Sequence, residues 1–241
     1  MNQRARDRRL PCRPPRLSGP LLRWWRVNGR SFPWRRTRDP YRLLIAELML
    51  HRTRANQVLP IYEEFIRRYP NLGTAANAPS DEIAQVMSPL GLRWRVNLVP
   101  PLLRQIQTAM DGEVPTSREI LRTLPGINDY IAGAVPCFSA DLKEVILDTN
   151  IVRVVGRVTG ERVTDASRRN VRFRALVRRL LPSARVREFY FALIDLAAAV
   201  CTPRDPLCPA CPLVRHCSWA ARVTQHARAV RHRTRQGSPR A

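Results

Sequence analysis

The chain has 241 residues, of which 44% are hydrophobic, so it is long enough to bury a core as one large domain or two small ones. Its formal net charge is +23, from 42 basic and 19 acidic side chains, and every basic residue except Lys143 is an arginine. No run of about eighteen apolar residues is present, which excludes a membrane-spanning helix, and the charged N-terminus lacks the apolar segment of a secretory signal.

The positive charge is concentrated at the two ends of the chain. Residues 1–18 carry six arginines and one aspartate, and residues 222–241 carry six arginines and no acidic residue. We expect both segments to be disordered basic arms. The body between them keeps a net charge of +12, which favours a nucleic-acid partner and a cytoplasmic, nucleoid-associated protein.

The internal sequence is helical in character. Apolar periodicity, capping residues and prolines predict helices after Asp39-Pro40, over 54–69, from Ser80, and over 117–124, 129–139, 149–158, 167–181 and 187–199. Pro100 and Pro101 stand within the stretch from Leu98 to Met110, where a helix must therefore break or restart. No period-two run is long enough to indicate a strand. The sequence therefore predicts an all-α protein.

Residues 124–134, with the sequence LPGINDYIAGA, predict a tight turn between two helices. Gly126 and Asn128 are residue types that tolerate left-handed backbone angles. Such a turn exposes backbone N–H groups at the start of the second helix, and these donors suit a DNA phosphate. Alone, the segment is also compatible with an ordinary helix–helix connection.

Four cysteines near the C-terminus have the spacing C-x6-C-x2-C-x5-C; they are Cys201, Cys208, Cys211 and Cys217. The residues between them are loop-like and cannot bury a core, so a ligated metal centre would supply the missing stabilisation. The uneven spacing differs from the short paired knuckles of zinc ribbons and favours a 4Fe-4S cluster. Zinc and disulfide bonds are the alternatives.

Several motifs occur in one order along the chain; they are Phe32-Pro33-Trp34-Arg35, Asp39-Pro40-Tyr41, Glu47-Leu48-Met49-Leu50, Leu124-Pro125-Gly126, Leu147-Asp148-Thr149-Asn150 and the four cysteines. In this combination the chain resembles the helix-hairpin-helix DNA glycosylases of the endonuclease III superfamily, over about residues 20–221. Within that superfamily it looks closest to the thymine mismatch glycosylases and to the adenine glycosylases that act on A/G mismatches.

The resemblance implies a two-lobed, all-helical glycosylase fold. One lobe is a six-helix barrel that contains the hairpin, here residues 40–146, and the other joins residues 19–39 to residues 147–221 and carries the cluster. The resemblance also implies that the four cysteines bind one 4Fe-4S cluster and that the partner is double-stranded DNA containing a mismatch. We expect the protein to be a monomer.

Asp148 is the first catalytic candidate. It follows an apolar run and precedes a helix, so on sequence alone it is an ordinary N-cap. It also falls on the essential aspartate of the family, whose ionised carboxylate stabilises the positive charge that develops at the sugar C1′ as the base leaves. Asn150, in the same motif, is included among the catalytic candidates.

Glu47 is the second catalytic candidate. It lies in the apolar run LLIAELML, where a carboxylate is costly to bury unless it is paired or functional. Burial favours the protonated form, which suits a proton donor to the leaving base, and the family carries a catalytic glutamate here. The alternative is a structural glutamate whose hydrogen bonds are satisfied.

Tyr130 occupies the hairpin position at which bifunctional members of the family carry a lysine. That lysine attacks the sugar and forms a Schiff base that leads to strand cleavage, which a phenol cannot do. The resemblance therefore predicts a monofunctional glycosylase that leaves an abasic site, with Tyr130 packed against the flipped nucleotide. A place in the hydrophobic core is the alternative for Tyr130.

The resemblance assigns further residues to DNA contacts. His51 and Arg52 follow the helix of Glu47, and Arg52 resembles the arginine that thymine-type members can insert into the minor groove. Leu92 looks like the apolar wedge that fills the gap left by a flipped base. The remaining candidates are Gly126 and Asn128 in the hairpin and Arg204 and Arg215 in the cysteine loops.

The favoured function is the excision of thymine or uracil opposite guanine in base excision repair. His51, Arg52 and Tyr130 favour it, and we expect no counterpart of the large C-terminal domain that adenine-type enzymes append. The first alternative is an adenine glycosylase acting opposite guanine or 8-oxoguanine, because some adenine-type members also carry a tyrosine in the hairpin. The second is a non-catalytic iron–sulfur DNA-binding regulator, which would not need Asp148 or Glu47.

Overall fold

The computed structural model describes residues 16–91 and 96–225. In these ranges the chain is helical and contains no strand, which confirms the predicted all-α class. None of the described helices is long and apolar enough to cross a membrane. In chain order, the α-helices with both ends in these ranges are α1 (Ser18–Asn28), α2 (Pro33–Arg36), α3 (Pro40–Leu50), α4 (Ala55–Arg68), α5 (Leu72–Asn77), α6 (Ser80–Met87), α7 (Val99–Ala109), α8 (Arg118–Leu121), α9 (Asp129–Ala140), α10 (Thr149–Thr159), α11 (Val171–Leu180) and α12 (Val186–Ala199).

Most of the two basic arms, residues 1–15 and 226–241, lies outside the described residues, and so does Leu92, the candidate wedge.

The C-terminal end of the folded region differs from the predicted one. Residues 218–225 are helical, so regular structure continues past position 221, where the sequence-based domain ends.

The chain divides into two compact units. Among the described residues, 16–29 and 147–225 form one, here called the cysteine unit, and 30–91 with 96–146 form the other, here called the hairpin unit. The sequence-based boundary at 39/40 differs from this division, because residues 30–39 lie in the hairpin unit. Phe32 and Trp34 explain the difference: both are buried in the core of that unit, and the Trp34 ring meets Tyr62 edge-on at 5.2 Å between centroids.

Helix α3 is the central helix of the hairpin unit, and eight of its eleven residues are buried. It begins after Asp39-Pro40 as predicted, because Asp39 Oδ1 accepts a hydrogen bond from the Tyr41 backbone N–H at 2.9 Å and Pro40 needs no donor there. Helices α4 and α9 pack against α3, α5 packs against α7, and α6 packs against α4 and α7. The segments before and after α3 are therefore attached to a helix whose position is fixed by its burial in the core.

The predicted restart at Pro100-Pro101 is confirmed. Helix α7 begins at Val99, so both prolines lie in its first turn, where backbone N–H groups have no partner within the helix. Leu102, Leu103 and Ile106 then bury the apolar side of α7. Two prolines that would disrupt the middle of a helix are therefore compatible with its start.

Helix α12 is the central helix of the cysteine unit, and α1 and α10 pack against it. Ten of its fourteen residues are buried, including Asp195. The Asp195 carboxylate accepts a hydrogen bond from Trp25 Nε1 of α1 at 2.9 Å, which offsets part of the cost of burying it. The cysteine segment follows α12 and contains two short 3-10 turns, Cys208–Ala210 and Val214–His216.

Candidate active site

Asp148 is the N-cap residue of α10. Its Oδ1 accepts the Ile151 backbone N–H at 2.6 Å, and its Oδ2 accepts the side-chain N–H of Asn150 at 3.0 Å. The interpretation as a helix cap is therefore correct, and the cap geometry fixes the carboxylate at the end of the helix. Both carboxylate oxygens have a donor, so the orientation of the group is determined.

A chain of hydrogen bonds leads from Asp148 to the cysteine segment. Asn150 donates to Asp148, and the Oδ1 of Asn150 accepts from Arg153 Nη2 at 3.0 Å. Arg153 Nε in turn donates to the backbone carbonyl of Cys201 at 2.9 Å, and its Nη2 also donates to the carbonyl of Ala197 at 3.0 Å. The first cysteine of the motif and the candidate catalytic carboxylate are thus connected through two side chains.

The surroundings of Asp148 act on its pKa in opposite directions. Burial raises the pKa of Asp148 above its ordinary value, because desolvation disfavours the charged form. The hydrogen bonds from Ile151 and Asn150 and the positive charge of Arg153 act against this rise, since each favours the carboxylate. The net effect is a raised pKa for Asp148, and without the hydrogen bonds from Ile151 and Asn150 the pKa would be higher still.

Glu47 is buried in α3, with only 5% of its surface exposed. It has interaction partners in the fold, as a buried carboxyl group requires. Tyr130, on α9, is half-buried and packs against the core of the same unit. The burial of Glu47 is therefore as predicted, and Tyr130 is partly a core residue.

The hairpin has the predicted form. Helices α8 and α9 are joined by a turn in which Gly126 has φ +76°, a conformation that residues with a Cβ rarely adopt. A Cβ at this position would also lie 3.2 Å from Leu98 Cδ1. Asn128 corrects the prediction: its φ is −86°, and it acts as the N-cap of α9, accepting the Ile131 N–H at 2.9 Å. Of the two residues that tolerate left-handed backbone angles, only Gly126 adopts one.

His51, Gly126 and Asn128 line one small pocket in the hairpin unit, together with Leu48, Leu98, Leu102, Pro125 and Ile131. Three of the residues assigned to DNA contacts are therefore brought together. Arg52 follows His51 in an exposed turn and has φ +62°. A left-handed arginine is strained, and such strain is concentrated at functional positions.

Arg118 is a residue that sequence reasoning missed. Its guanidinium forms ion pairs with Asp129 at 2.8 Å and with Glu144 at 2.7 Å, and it donates to the carbonyl of Asp129. It passes over Gly133 of α9, where a Cβ would lie 2.5 Å from Nη1. Arg118 thus ties the start of α8 to the start of α9 and to the segment that follows α9, which braces the hairpin.

The four cysteines line one small pocket in the cysteine unit. The rest of its lining is mainly apolar and includes Val154, Val158, Leu196, Val200 and Val214. All four are free thiols, so a disulfide framework is wrong. Burial raises the pKa of Cys211 to about 11, and the neighbouring thiols add to the rise. In residues 16–91 and 96–225, no three His, Cys, Asp or Glu side chains are grouped closely enough to hold a single metal ion.

Arg157 is a second residue that the sequence did not identify. Its Nη1 donates to the Sγ of Cys201 at 3.4 Å and to the Thr202 carbonyl at 2.6 Å, and its guanidinium lies 5.2 Å from the centre of the Trp219 ring. It therefore anchors the start of the cysteine segment. Arg204 and Arg215 are exposed on the loops of that segment, as the prediction of backbone contacts requires.

Relatives of known function resemble the chain over most of its length, although no family model matches it. It is 39% identical to a thymine-DNA glycosylase of Aeropyrum pernix over 83% of this chain and 92% of that protein. It is 36% identical to a thymine/uracil-DNA glycosylase of Pyrobaculum aerophilum, over 81% and 87% of the two chains. An adenine DNA glycosylase of Mycobacterium tuberculosis is 35% identical, over 85% of this chain and 70% of that one.

The fold agrees with these similarities. A solved thermostable thymine-DNA glycosylase superposes with a TM-score of 0.78 at 33% identity, covering 84% of this chain and 94% of that one. The predicted resemblance is therefore confirmed. The chain belongs to the family of the thymine-DNA and thymine/uracil-DNA glycosylases that it resembles, and it has the helix-hairpin-helix glycosylase fold.

Proposed function

We propose that the protein is a monofunctional mismatch DNA glycosylase that removes thymine or uracil opposite guanine and leaves an abasic site. The observation that carries the proposal is Asp148, whose two carboxylate oxygens are held by Ile151 and Asn150 at the start of α10. The names of the thymine and thymine/uracil glycosylases that resemble the chain support the choice of base.

Asp148 acts in its ionised form. As the glycosidic bond breaks, positive charge develops at C1′ and the ring oxygen of the sugar, and a fixed carboxylate stabilises that state more than the neutral ground state. The hydrogen bonds from Ile151 and Asn150 hold the group in place before the reaction, so little reorganisation is needed. Water then adds to C1′, with Asp148 as the acceptor of its proton.

Glu47 supplies the proton that the departing base needs. A buried carboxyl group favours the neutral form, and 95% of the surface of Glu47 is removed from solvent. The base must leave the helical stack before this transfer is possible. Arg52, His51, Gly126 and Asn128 contribute the minor-groove and phosphate contacts that hold the distorted duplex, and Leu92 is the proposed wedge.

Tyr130 is the reason for proposing monofunctional chemistry. A phenol cannot form a Schiff base with the sugar, and Lys143 lies outside the hairpin motif, beyond the end of α9. Tyr130 is half-buried on α9, which suits packing against the extruded nucleotide. The reaction therefore ends at an intact strand with an abasic site.

We also propose that Cys201, Cys208, Cys211 and Cys217 bind one 4Fe-4S cluster. The fit is supported by the shared, mostly apolar cavity that all four thiols line, because cluster ligation needs four thiolates around one space and shielding from solvent. The bound cluster would supply a rigid frame for the loops that carry Arg204 and Arg215. Iron and acid-labile sulfide analysis should give about four of each per chain, and Cys211→Ser should lower both.

The adenine glycosylase of Mycobacterium tuberculosis supports a second candidate activity, removal of adenine opposite guanine or 8-oxoguanine. One experiment separates the two. The protein is incubated with duplexes carrying G/T, G/U, A/G or A/8-oxoguanine, and abasic sites are then cleaved with alkali. We expect products from G/T and G/U only, and only after alkali. Products from the adenine duplexes alone would overturn the proposal, and no product from any duplex would favour a non-catalytic regulator.

The same preparation tests the assembly and site of action. We propose that a monomer acts on mismatched double-stranded DNA in the cytoplasm, on the nucleoid. Light scattering of the free protein and of a stoichiometric duplex complex should give one chain per duplex.

A further inference from the structure

Helix α11 has a strongly basic surface that the proposed chemistry does not use. Between Asp165 and Glu188 the sequence has eight arginines and no acidic residue. Five of these side chains are exposed and form what we call the α11 arginine face: Arg168, Arg169, Arg172, Arg178 and Arg179. The face extends from the 3-10 turn before α11 to the last turn of the helix.

Ion pairing within the fold does not account for most of these charges. Helix α11 is held by its opposite side, where Phe173, Leu176, Val177 and Leu180 are buried. Among residues 16–91 and 96–225, no acidic side chain forms an ion pair with Arg168, Arg169, Arg172 or Arg178. Arg178 and Arg179 lie in the last turn of α11, where the helix dipole favours positive charge by about 0.3 to 1 kcal/mol, but Arg168, Arg169 and Arg172 at its start have no such role.

The spacing of the face suits the backbone of duplex DNA. Arg172 and Arg179 are two turns apart on one side of α11, which places them about 10 Å apart along the helix axis at 1.5 Å per residue. B-DNA carries about six phosphate charges in the same length of its axis. A helix side with several arginines can therefore neutralise phosphates on one stretch of duplex without reading its sequence.

The arginine face takes no part in holding the candidate catalytic carboxylate. Asp148 accepts hydrogen bonds from Ile151 and Asn150, with Arg153 as a neighbouring positive charge. These residues belong to α10, whereas the arginine face belongs to α11 and to the 3-10 turn and residue that precede it.

We propose that the α11 arginine face is an additional binding surface for the phosphate backbone of undamaged duplex DNA. It supplies sequence-independent affinity that acts before and after a mismatch is found. The inference rests on the membership of the chain in the DNA glycosylases, which makes a duplex the expected polyanion, but it does not depend on which base is removed.

The test compares three variants of the full chain. The first is Arg168→Gln/Arg172→Gln/Arg178→Gln, and the second carries lysine at the same three positions. The third, Arg67→Gln/Arg68→Gln, removes exposed arginines from α4, where Glu64 already pairs with both. Thermal unfolding of each variant establishes that the fold is retained.

Two measurements are made on each variant. The first is the affinity for a mismatch-free duplex between 50 and 200 mM salt, and the second is the single-turnover excision rate with enzyme at saturation. The triple glutamine variant should bind at least about tenfold more weakly, and its slope of log affinity against log salt should fall by about 2 to 3, at 0.9 per phosphate contact. Its excision rate should be unchanged.

The lysine variant should retain most of the affinity, because phosphate neutralisation depends mainly on charge. The Arg67/Arg68 variant should bind as the parent does. An unchanged affinity and slope in the triple glutamine variant, or an equal loss in the Arg67/Arg68 variant, would overturn the proposal. Failure of the parent to excise any base would instead contradict the proposed function and leave the binding result to be decided separately.

Discussion

The cysteine unit and the hairpin unit position their functional groups by different physical means. In the cysteine unit, the Asp148 carboxylate is held by a chain of side chains, Asn150 and Arg153, that ends at the Cys201 carbonyl. In the hairpin unit, the turn at Gly126 presents backbone groups, and Arg118 braces the helices around it. Stabilising a developing charge requires a fixed carboxylate, whereas a phosphate contact requires a fixed backbone. Substitutions in the first region should therefore change the excision rate, and substitutions in the second should change stability and affinity.

The largest effect is expected at Asp148. Asp148→Asn keeps an acceptor for the Ile151 N–H, so the helix cap survives, but it removes the negative charge. We expect the single-turnover excision rate to fall by about 10³-fold or more, with duplex affinity close to that of the parent. The measurement is base release from a G/T duplex at saturating enzyme.

Asp39→Asn is the matched control, because Asp39 caps α3 by accepting from the Tyr41 and Arg42 N–H groups. The same chemical change at that cap should leave the excision rate within about twofold. If Asp148→Asn retained the parental rate while remaining folded, the assignment of the catalytic carboxylate would be wrong.

A smaller effect on rate is expected at Arg153. Arg153→Gln cannot reach Asn150, Ala197 and the Cys201 carbonyl together, so Asn150 loses the partner that orients it. Loss of a residue that orients a functional group by hydrogen-bonding to it typically lowers activity by about 10- to 100-fold. We expect a loss of excision rate in that range, with unchanged duplex affinity.

Arg157→Gln is the control for Arg153→Gln. It loosens the same cysteine segment at Thr202 and Pro203 but leaves the bond between Asn150 and Asp148 intact. Equal rate losses in the two variants would mean that the cysteine segment matters only for stability, and that the chain of hydrogen bonds to Asp148 has no separate role.

The two regions also differ in how far the sequence predicts them. The cap at Asp148, the start of α3 and the restart of α7 are local features, because each depends on residue types within three or four positions. The hydrogen bond between Arg153 and Cys201 joins residues 48 positions apart, and the ion pair between Arg118 and Glu144 joins residues 26 apart. No periodic or capping signal accompanies such contacts, so both arginines appear in the sequence as ordinary helix residues.

Asn128 illustrates the same limit at short range. Asparagine is common both in left-handed turns and at helix N-caps, so the residue type alone does not distinguish the two. The structure selects the cap, because the bond to the Ile131 N–H satisfies a donor at the start of α9. Arg52 is one of four non-glycine residues with positive φ in the described structure, and its side-chain type gives no indication of that conformation.

In the hairpin unit, Gly133→Ala should reduce stability. The new Cβ would lie 2.5 Å from Arg118 Nη1, so Arg118 must move away from Asp129 and Glu144. The loss of the charged hydrogen bonds of Arg118, offset in part by the gain of about 0.5 to 1 kcal/mol from alanine inside a helix, should lower the free energy of unfolding by about 1 to 2 kcal/mol. Urea unfolding measures this, and duplex affinity should fall with little change in the rate at saturating enzyme.

Gly73→Ala is the control for Gly133→Ala, because its Cβ would have only ordinary contacts, the nearest at 3.5 Å from Asn71 Oδ1. An alanine in that helix should be neutral or stabilising by up to about 1 kcal/mol. If Gly133→Ala were as stable as the parent, the bracing role of Arg118 would be contradicted.

The smallest and most specific effect concerns pH. In the proposed mechanism excision requires ionised Asp148, so the rate should fall as pH drops through the pKa of Asp148, which burial raises. The hydrogen bond from Asn150 favours the carboxylate, so Asn150→Ala should raise this pKa further and move the acidic limb of the pH–rate profile to higher pH. The direct effect of the Arg153 charge on the pKa of Asp148 is weaker than that of the Asn150 hydrogen bond, and Arg153→Gln keeps Asn150 in the chain, so Arg153→Gln should move the limb less. A limb that moves to lower pH in Asn150→Ala, or that moves further in Arg153→Gln, would show that Asn150 does not stabilise the ionised form. In that case Asn150 would serve only to position the Asp148 carboxylate and would not stabilise its charge.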